Sequence, residues 1–162
     1  MPVPPRPLPT LALFQPDIPQ NAGAILRLAA CFGLTVEIIE PCGFLWDERR
    51  MRRAGMDYID QVGLIRHRSY DAFRAARAER GERVVLLTTG GEDRLDRFVF
   101  SENDILMVGR ESAGVPAEVA AAADRRLVIP MAAGARSLNV AMAATLAVGE
   151  ALRQLDAYPD GC

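Results

Sequence analysis

The chain has no lysine: all 19 of its basic residues are arginine. A phosphate-binding loop of the Gly-x-x-x-x-Gly-Lys-Ser/Thr kind is therefore excluded. Histidine is nearly absent as well, since His67 stands alone, which removes most zinc sites and most His-dependent catalysis. No metal is expected. The three cysteines, Cys31, Cys42 and Cys162, lack metal-ligand spacing. Without a secretory signal they read as free thiols of a reducing cytosol rather than a disulfide framework. No two of the 13 glycines are separated by a single residue, so the dinucleotide fingerprint Gly-x-Gly-x-x-Gly is missing. So is the nucleophile elbow Gly-x-Ser-x-Gly. No run approaches the roughly 20 apolar residues of a membrane span, and the opening lacks the apolar region of a signal peptide. A cytoplasmic location is expected.

What is present is ordinary for a globular chain. Of 162 residues, 50% are hydrophobic and 25% charged, enough for one sizeable core. The Pro-rich opening reads as a flexible leader over residues 1–10, followed by one domain over 11–156 and a tail over 157–162. The net charge of −2 gives no global basic signal, so any nucleic-acid contact must come from a local patch. Every available cation is a planar guanidinium, suited to phosphate and to stacking.

Short apolar runs alternate with helical segments, which predicts an α/β fold: a mostly parallel six-stranded sheet with helices on both faces. Leu11–Gln15, Thr35–Ile39, Gln61–Arg66, Arg83–Thr88, Asp104–Gly109 and Arg126–Pro130 are the expected strands. Asn21 is placed to cap a first helix ending at Gly33, Asp47 an Arg-rich helix ending near Gly55, and Ser69 a helix reaching Gly81. Pro116 opens a short Ala-rich helix. Ser137 is placed to cap the last helix, about Leu138 to Leu155.

Ligands of such sheets bind at the carboxyl ends of strands, which here means the loops after Leu87, Val108 and Ile129. They run TTGGED, GRESAGVP and PMAAGARSLN. Together they can offer backbone N–H and C=O groups to one ligand, and their few fixed cations suit a neutral or zwitterionic adenosine better than a polyphosphate. Taken singly, each of them is better explained by ordinary turn chemistry; it is the three together that point to a ligand.

At these loops the sequence resembles the SPOUT (trefoil-knotted) RNA methyltransferases, at three places in the right order. Pro16 to Arg27 (PDIPQNAGAILR) is similar to the first family motif, Asn-x-Gly followed by Arg. Ile105 to Pro116 (ILMVGRESAGVP) is similar to the second, with Gly109, Glu111 and Gly114. Leu127 to Ala141 (LVIPMAAGARSLNVA) is similar to the third. The stretch Ile38 to Tyr58 resembles the short tRNA (cytidine/uridine-34 2'-O)-methyltransferase branch, the TrmL type. The likeness runs from Leu11 to about Leu155. Some positions differ from the branch pattern: Val108, Arg110 and Ala113 in the second motif, Ala141 and Met142 in the third, and Gly149 near a position often held by tyrosine.

The resemblance implies a C-terminal trefoil knot, a homodimer, and S-adenosylmethionine as methyl donor. It implies methyl transfer to the ribose 2'-hydroxyl of the wobble nucleotide, cytidine or modified uridine 34, of tRNA, leucine tRNAs in particular. The tRNA partner would be engaged at its anticodon stem-loop. Alternatives are a 2'-O-methyltransferase of another tRNA or rRNA position, and a non-catalytic RNA-binding knotted dimer. Leu87, Gly109, Ile129, Ser137 and Leu138 fall where the family contacts the donor, although Leu87 and Ile129 suit a core equally well. Arg27 is the family's candidate at the reacting hydroxyl; because arginine hardly ever deprotonates, a role in orienting ribose or phosphate and stabilising charge is preferred. Asn21 and Glu111 complete the catalytic set, Asn21 with helix capping as its other reading and Glu111 as an anchor for Arg27 or the loop. Arg49, Arg50, Arg52, Arg53 and Arg136 are candidates for RNA phosphate. For the first four, a solvated helix face is the competing reading. Small residues on the first helix (Ala24, Ala29) and the last (Ala141, Ala143, Ala144, Ala147) suit either a dimer contact or a tight core.

Overall fold

The computed structural model describes residues 9–53 and 57–161. Leader residues 1–8, Gly55 and Cys162 lie outside the described residues. Within them the chain forms strands β1 (Thr10–Phe14), β2 (Thr35–Ile39), β3 (Gly63–His67), β4 (Arg83–Leu87), β5 (Asp93–Arg94), β6 (Asp104–Val108) and β7 (Arg125–Val128). The helices are α1 (Pro19–Phe32), α2 (Glu48–Arg53), α3 (Tyr70–Arg80), α4 (Ala117–Ala122) and α5 (Val140–Gln154), with 3-10 turns at Asp57–Gln61 and Leu95–Arg97.

The strands make one sheet in the order β3-β2-β1-β6-β4-β7-β5, and every pairing is parallel. Because side chains alternate across a strand, each central strand divides its apolar residues between two cores. Leu11, Leu13, Val36, Ile38, Val85, Leu106 and Leu127 pack beneath α1 and α5. Ala12, Phe14, Val84, Leu86, Ile105 and Met107 face α3 and α4 through Phe73 and Val119. Burial on both faces explains why β4 and β6 are continuous apolar runs rather than alternating ones. Ala29 of α1 and Ala144, Ala147 and Ala151 of α5 are fully buried where the two helices pack on each other, so these small residues serve the core of one chain. Ala24 is exposed.

Several local signals act as the sequence suggests. Asp47 Oδ1 accepts from the backbone of Arg49 at 3.0 Å and Arg50 at 3.2 Å, and Ser69 Oγ accepts from Ala72 N at 3.1 Å. Gly33 and Gly81 end their helices at φ 69° and 65°, a region where glycine carries no Cβ penalty. Two expected caps are displaced. Helix α1 starts at Pro19, whose ring presets helical φ and whose missing N–H is no loss in a first turn; Asn21 therefore lies inside that turn, and Ile18 at the N-cap makes no side-chain bond. The last helix is capped by Asn139, which accepts from Ala141 N at 2.9 Å and Met142 N at 3.3 Å, rather than by Ser137. Strand β7 also begins and ends earlier than expected, at Arg125 and Val128.

The sheet has a seventh strand where six were expected. Strand β5 is only Asp93–Arg94, paired to β7 at Leu127 and Val128. Its residues carry no apolar alternation; charge holds it, with Asp93 forked onto Arg125 at 2.7 and 2.8 Å and Glu92 onto Arg126. Charged side chains on a very short edge strand also protect the sheet from further pairing. His67 is structural: it bonds the buried carboxylate of Glu37 at 2.6 Å, which Arg80 also reaches at 3.0 and 3.1 Å. At the far end of α5, the Tyr158 hydroxyl donates to Gly149 O at 3.2 Å and the ring meets Phe32 edge-on.

Before β5 the chain runs against β7. A Cβ on Gly91 would lie 2.8 Å from Arg126 O, Leu127 C and Val128 N, all backbone atoms with little freedom to move. Gly91→Ala should therefore destabilise the fold by about 1–3 kcal/mol, the usual result of overpacking. Urea unfolding checks this, with the midpoint falling and the slope unchanged.

Candidate active site

Since β6, β4 and β7 are sheet neighbours, the loops after Val108, Leu87 and Val128 leave the same sheet edge side by side. The first, 88–92, is turned by Gly91 N donating to Thr88 O and is pinned to β7 by Thr88 N donating to Leu127 O at 2.9 Å. The second is a closed turn. Arg110 N donates to Gly114 O at 3.0 Å and Gly114 N to Arg110 O at 2.8 Å, with Gly114 at φ 60°. A Cβ on Gly109 would stand 2.8 Å from Gly114 C, so the close backbone approach this glycine permits is that of the loop itself. The third, 130–139, is exposed throughout and ends at Asn139, whose Nδ2 donates to Asn21 Oδ1 at 3.0 Å. That bond joins it to the first turn of α1.

The three loops and the start of α1 enclose a cavity of about 530 Å³, within the usual range for a small-molecule site. Leu87, Gly109, Ile129, Ser137 and Leu138, the five positions expected to touch a donor, all line it. So do Asn21 and Glu111. Unanticipated lining residues include Ile18, Thr88, Met131 and Val140. Among the described residues, Arg110 and Glu111 are the only charged side chains in the lining. The arginine is already engaged: its Nε donates to Gly114 O at 3.2 Å, and its guanidinium lies 5.7 Å from the Phe14 ring centroid. A cavity of mixed apolar and uncharged polar lining fits an uncharged base and sugar; its described residues offer no set of cations for a polyphosphate.

Beside the cavity lies Asp17, in the turn between β1 and α1. Its Oδ1 accepts from the backbone N of Glu111 at 3.2 Å, and its Oδ2 accepts from the Ser112 hydroxyl. Hydrogen bonding from Glu111 and then Ser112 holds the Asp17 carboxyl at about 2. Glu111 moves the other way: burial first, then the neighbouring Asp17 carboxyl, push it above the usual glutamate range, with Asn21 opposing. Glu111 Oε2 is buried and has no hydrogen-bond partner among the described residues, although buried polar atoms are normally paired. It is suited to receive a ligand N–H or O–H. Asp17 was visible in the sequence inside the PDIPQN run, but only its contact with a loop 94 residues away gives it a role.

The remaining site candidates stand outside the cavity lining. Arg27 is exposed on α1 with its guanidinium 5.0 Å from the Tyr58 ring centroid, a cation–π distance. Arg136 is exposed on the third loop. Arg49, Arg50, Arg52 and Arg53 are all exposed on α2. Arg50 lies 3.7 Å from Asp47, and Arg52 is paired with Asp60 and, at 3.8 Å, with Glu48. Cys42 is kept protonated at neutral pH, because burial, then the charge of Glu40, raise its thiol to about 11.

Comparison with known proteins is consistent with this picture. A tRNA (cytidine(34)-2'-O)-methyltransferase of Beijerinckia indica is 58% identical over 147 residues, covering 91% of this chain and 92% of that protein. A structure solved for the 2-OH methylation of C/U34 on tRNA superposes with a TM-score of 0.85 at 44% identity, covering 92% of this chain and 97% of that one. The SpoU methyltransferase AviRb of Streptomyces viridochromogenes, solved in complex with the cofactor AdoMet, gives 0.81 at 26% identity, over 96% of this chain and 63% of its own. The SpoU rRNA Methylase family model matches residues 9–149, and the chain belongs to that family.

Proposed function

We propose that this protein transfers a methyl group from S-adenosylmethionine to the ribose 2'-hydroxyl of nucleotide 34, cytidine or modified uridine, in the anticodon stem-loop of tRNA, leucine tRNAs included. The observation that carries the reading is the convergence of three strand-end loops on one nearly uncharged cavity, lined by all five residues expected to hold the donor. The relatives named for this reaction match the chain over almost its full length, and that supports the choice of nucleotide. We include in the proposal one domain over 11–156, a C-terminal part that threads a loop, a cytoplasmic location, and a homodimer. Met142 and Leu146, 63% and 50% exposed on α5, support the dimer as apolar surface in need of a cover.

When bound, the donor supplies a methyl carbon already activated by a positively charged sulfur. The chain's task is then alignment of the reacting groups. In this reading Leu87 and Ile129 give flat apolar contact to adenine, while Ser137, Leu138 and the 109–114 turn offer backbone and hydroxyl groups to its edge. Asn21, tied to Asn139, and Glu111 face the space beside the donor. Arg27 orients the ribose or its phosphate and stabilises negative charge on the oxygen. Stacking on Tyr58 limits the rotamers that guanidinium can adopt. The α2 arginines and Arg136 bind backbone phosphates outside the cavity.

The deciding experiment uses the purified protein, labelled donor and unmodified tRNA, followed by mapping of the label. Label on the 2'-oxygen of nucleotide 34 is expected; label at another nucleotide overturns the position, and no label overturns the activity. Arg27→Ala should lower kcat by about 100-fold, as loss of a charge-stabilising group at a reacting oxygen does. Donor affinity measured by calorimetry should be unchanged, because Arg27 is outside the cavity lining. For the double variant Arg52→Glu, Arg53→Glu, the slope of log affinity for tRNA against log salt should shrink by about 1–2, since each phosphate contact contributes about 0.7–0.9. An unchanged slope would remove α2 from the interface.

A further inference from the structure

Asp17 has no part in the reading above, yet two loops of the site meet on it. We propose that Asp17 is a positioning residue: it ties the turn after β1 to the loop after β6 and holds the Glu111 carboxyl with one oxygen free to accept a hydrogen bond from the nucleotide bound beside the donor. This rests on the methyl-transfer reading for its consequence in the reaction, but not for the contact itself.

The turn is built to deliver this carboxylate. Gln15 lies in the left-handed region at φ 44°, unusual for a residue with a side chain, and its N–H is secured to Ile39 O at 2.8 Å. The chain then runs through Pro16, whose carbonyl accepts from Gly43 N at 2.9 Å. A Cβ on Gly43 would lie 2.7 Å from Asp17 Cβ, so Asp17 occupies a slot that only a glycine opposite leaves open. Both carboxylate oxygens are spent on the second loop, one on the Glu111 N–H and one on the Ser112 hydroxyl. Two bonds from one planar group to consecutive residues fix the direction in which the Glu111 side chain leaves the backbone. The result is a buried Oε2 without a partner among the described residues, in a residue that lines the cavity.

The groups around Glu111 leave Asp17 as its electrostatic neighbour. Asn21 of α1 is uncharged. Arg110 is drawn off toward Gly114 O and the Phe14 ring. The loop after β4 presents Thr88 and Thr89 to the cavity, and the approach to α5 presents Ser137, Leu138 and Asn139; none carries charge. Removing the charge of Asp17 should therefore let Glu111 ionise at lower pH.

The test pairs Asp17→Asn with Glu111→Gln in a double-mutant cycle on kcat, with a carbon-13 NMR titration of the Glu111 carboxyl in the wild type and in Asp17→Asn. If Asp17 acts through Glu111, each single variant lowers kcat and the double variant stays within about 3-fold of Glu111→Gln alone, the sign of two residues working as a unit. The acid limb of the kcat profile and the Glu111 titration both move to lower pH in Asp17→Asn, and Asp17→Glu restores part of the rate. Multiplicative losses, or a Glu111 titration that Asp17→Asn leaves in place, overturn the proposal. Should Asp17→Asn fail to fold, Ser112→Ala, which keeps both charges and the Glu111 N–H bond, is carried through the same kcat cycle, where a double variant within about 3-fold of Glu111→Gln alone supports the proposal and multiplicative losses overturn it. A wild type that transfers no methyl group refutes the proposed function, while the titration still decides on Asp17.

Discussion

Strand β6 lies between β1 and β4, and the site follows from that one parallel insertion. Leu106 is aligned with Leu11 on one side and with Val85 on the other, so a segment from late in the chain is held between two earlier ones. In a parallel sheet every strand end of one kind lies at the same edge. The insertion therefore sets the turn after β1, with Asp17 and Asn21, beside the loop after β6, with Glu111. The pairing is strongly specified because β6 is buried along its whole length. A one-residue slip would send Ile105 and Met107 to the wrong core and Leu106 with them. It would also drag Asp104 away from Arg83, whose two nitrogens hold that carboxylate at 2.6 and 2.8 Å. Removing one partner of a buried ion pair is far more costly than never having had the pair. Register and site geometry are the same constraint seen at two ends of a strand.

What could be read from the sequence was what is decided locally. Strands β2, β4 and β6 announce themselves by β-branched or unbroken apolar runs, and Asp47, Ser69, Gly33 and Gly81 bound their helices through bonds spanning a few residues. The errors have equally local causes. Asn21 resembles a cap, but Pro19 two residues earlier can start the helix by itself. Ser137 and Asn139 are both good caps, and the choice between them depends on how the exposed third loop approaches α5. Strand β5 was invisible because ion pairs to β7 hold it, not hydrophobic alternation. The site was legible in part for the same reason. A rule about strand ends picked out the three loops, and resemblance supplied residues within them. What could not be read was the partner of each side chain: Arg27 on Tyr58, Arg110 on Phe14, and Asp17 on the backbone of Glu111 all depend on tertiary packing.

The proposed function asks a chain of net charge −2 to serve an anionic polymer, and the distribution of its charge is compatible with that. Most of its guanidiniums are neutralised in place: Arg80 on Glu37, Arg83 on Asp104, Arg125 on Asp93 and Arg126 on Glu92. These pairs stitch the rim of the sheet and project little field. Helix α2 differs: it carries four arginines in six residues, of which Arg50 pairs with Asp47 and Arg52 with Asp60 and Glu48, while Arg49 and Arg53 make no ion pair among the described residues. Within α2 itself four arginines stand with one glutamate, so the helix carries positive charge although the chain as a whole does not.

The cavity follows the opposite rule, and the two belong together. A group of positive charge such as a sulfonium is repelled by nearby guanidiniums, and in a low-dielectric cleft that repulsion is stronger than in water. On the proposed function, arginines that hold phosphate must therefore stay outside the cavity, and Arg110, the one arginine in its lining among the described residues, must be turned away. Gly114 O and the Phe14 face do this for Arg110. The single anionic side chain left inside, Glu111, then lies where a positive ligand and a hydroxyl proton would both favour it. Its environment sharpens the same bias, because Asp17 rather than an arginine is its charged neighbour. On the proposed function, separating the cations of α2 from the cavity is what lets one small chain attract RNA at its surface while keeping a positively charged donor stable within.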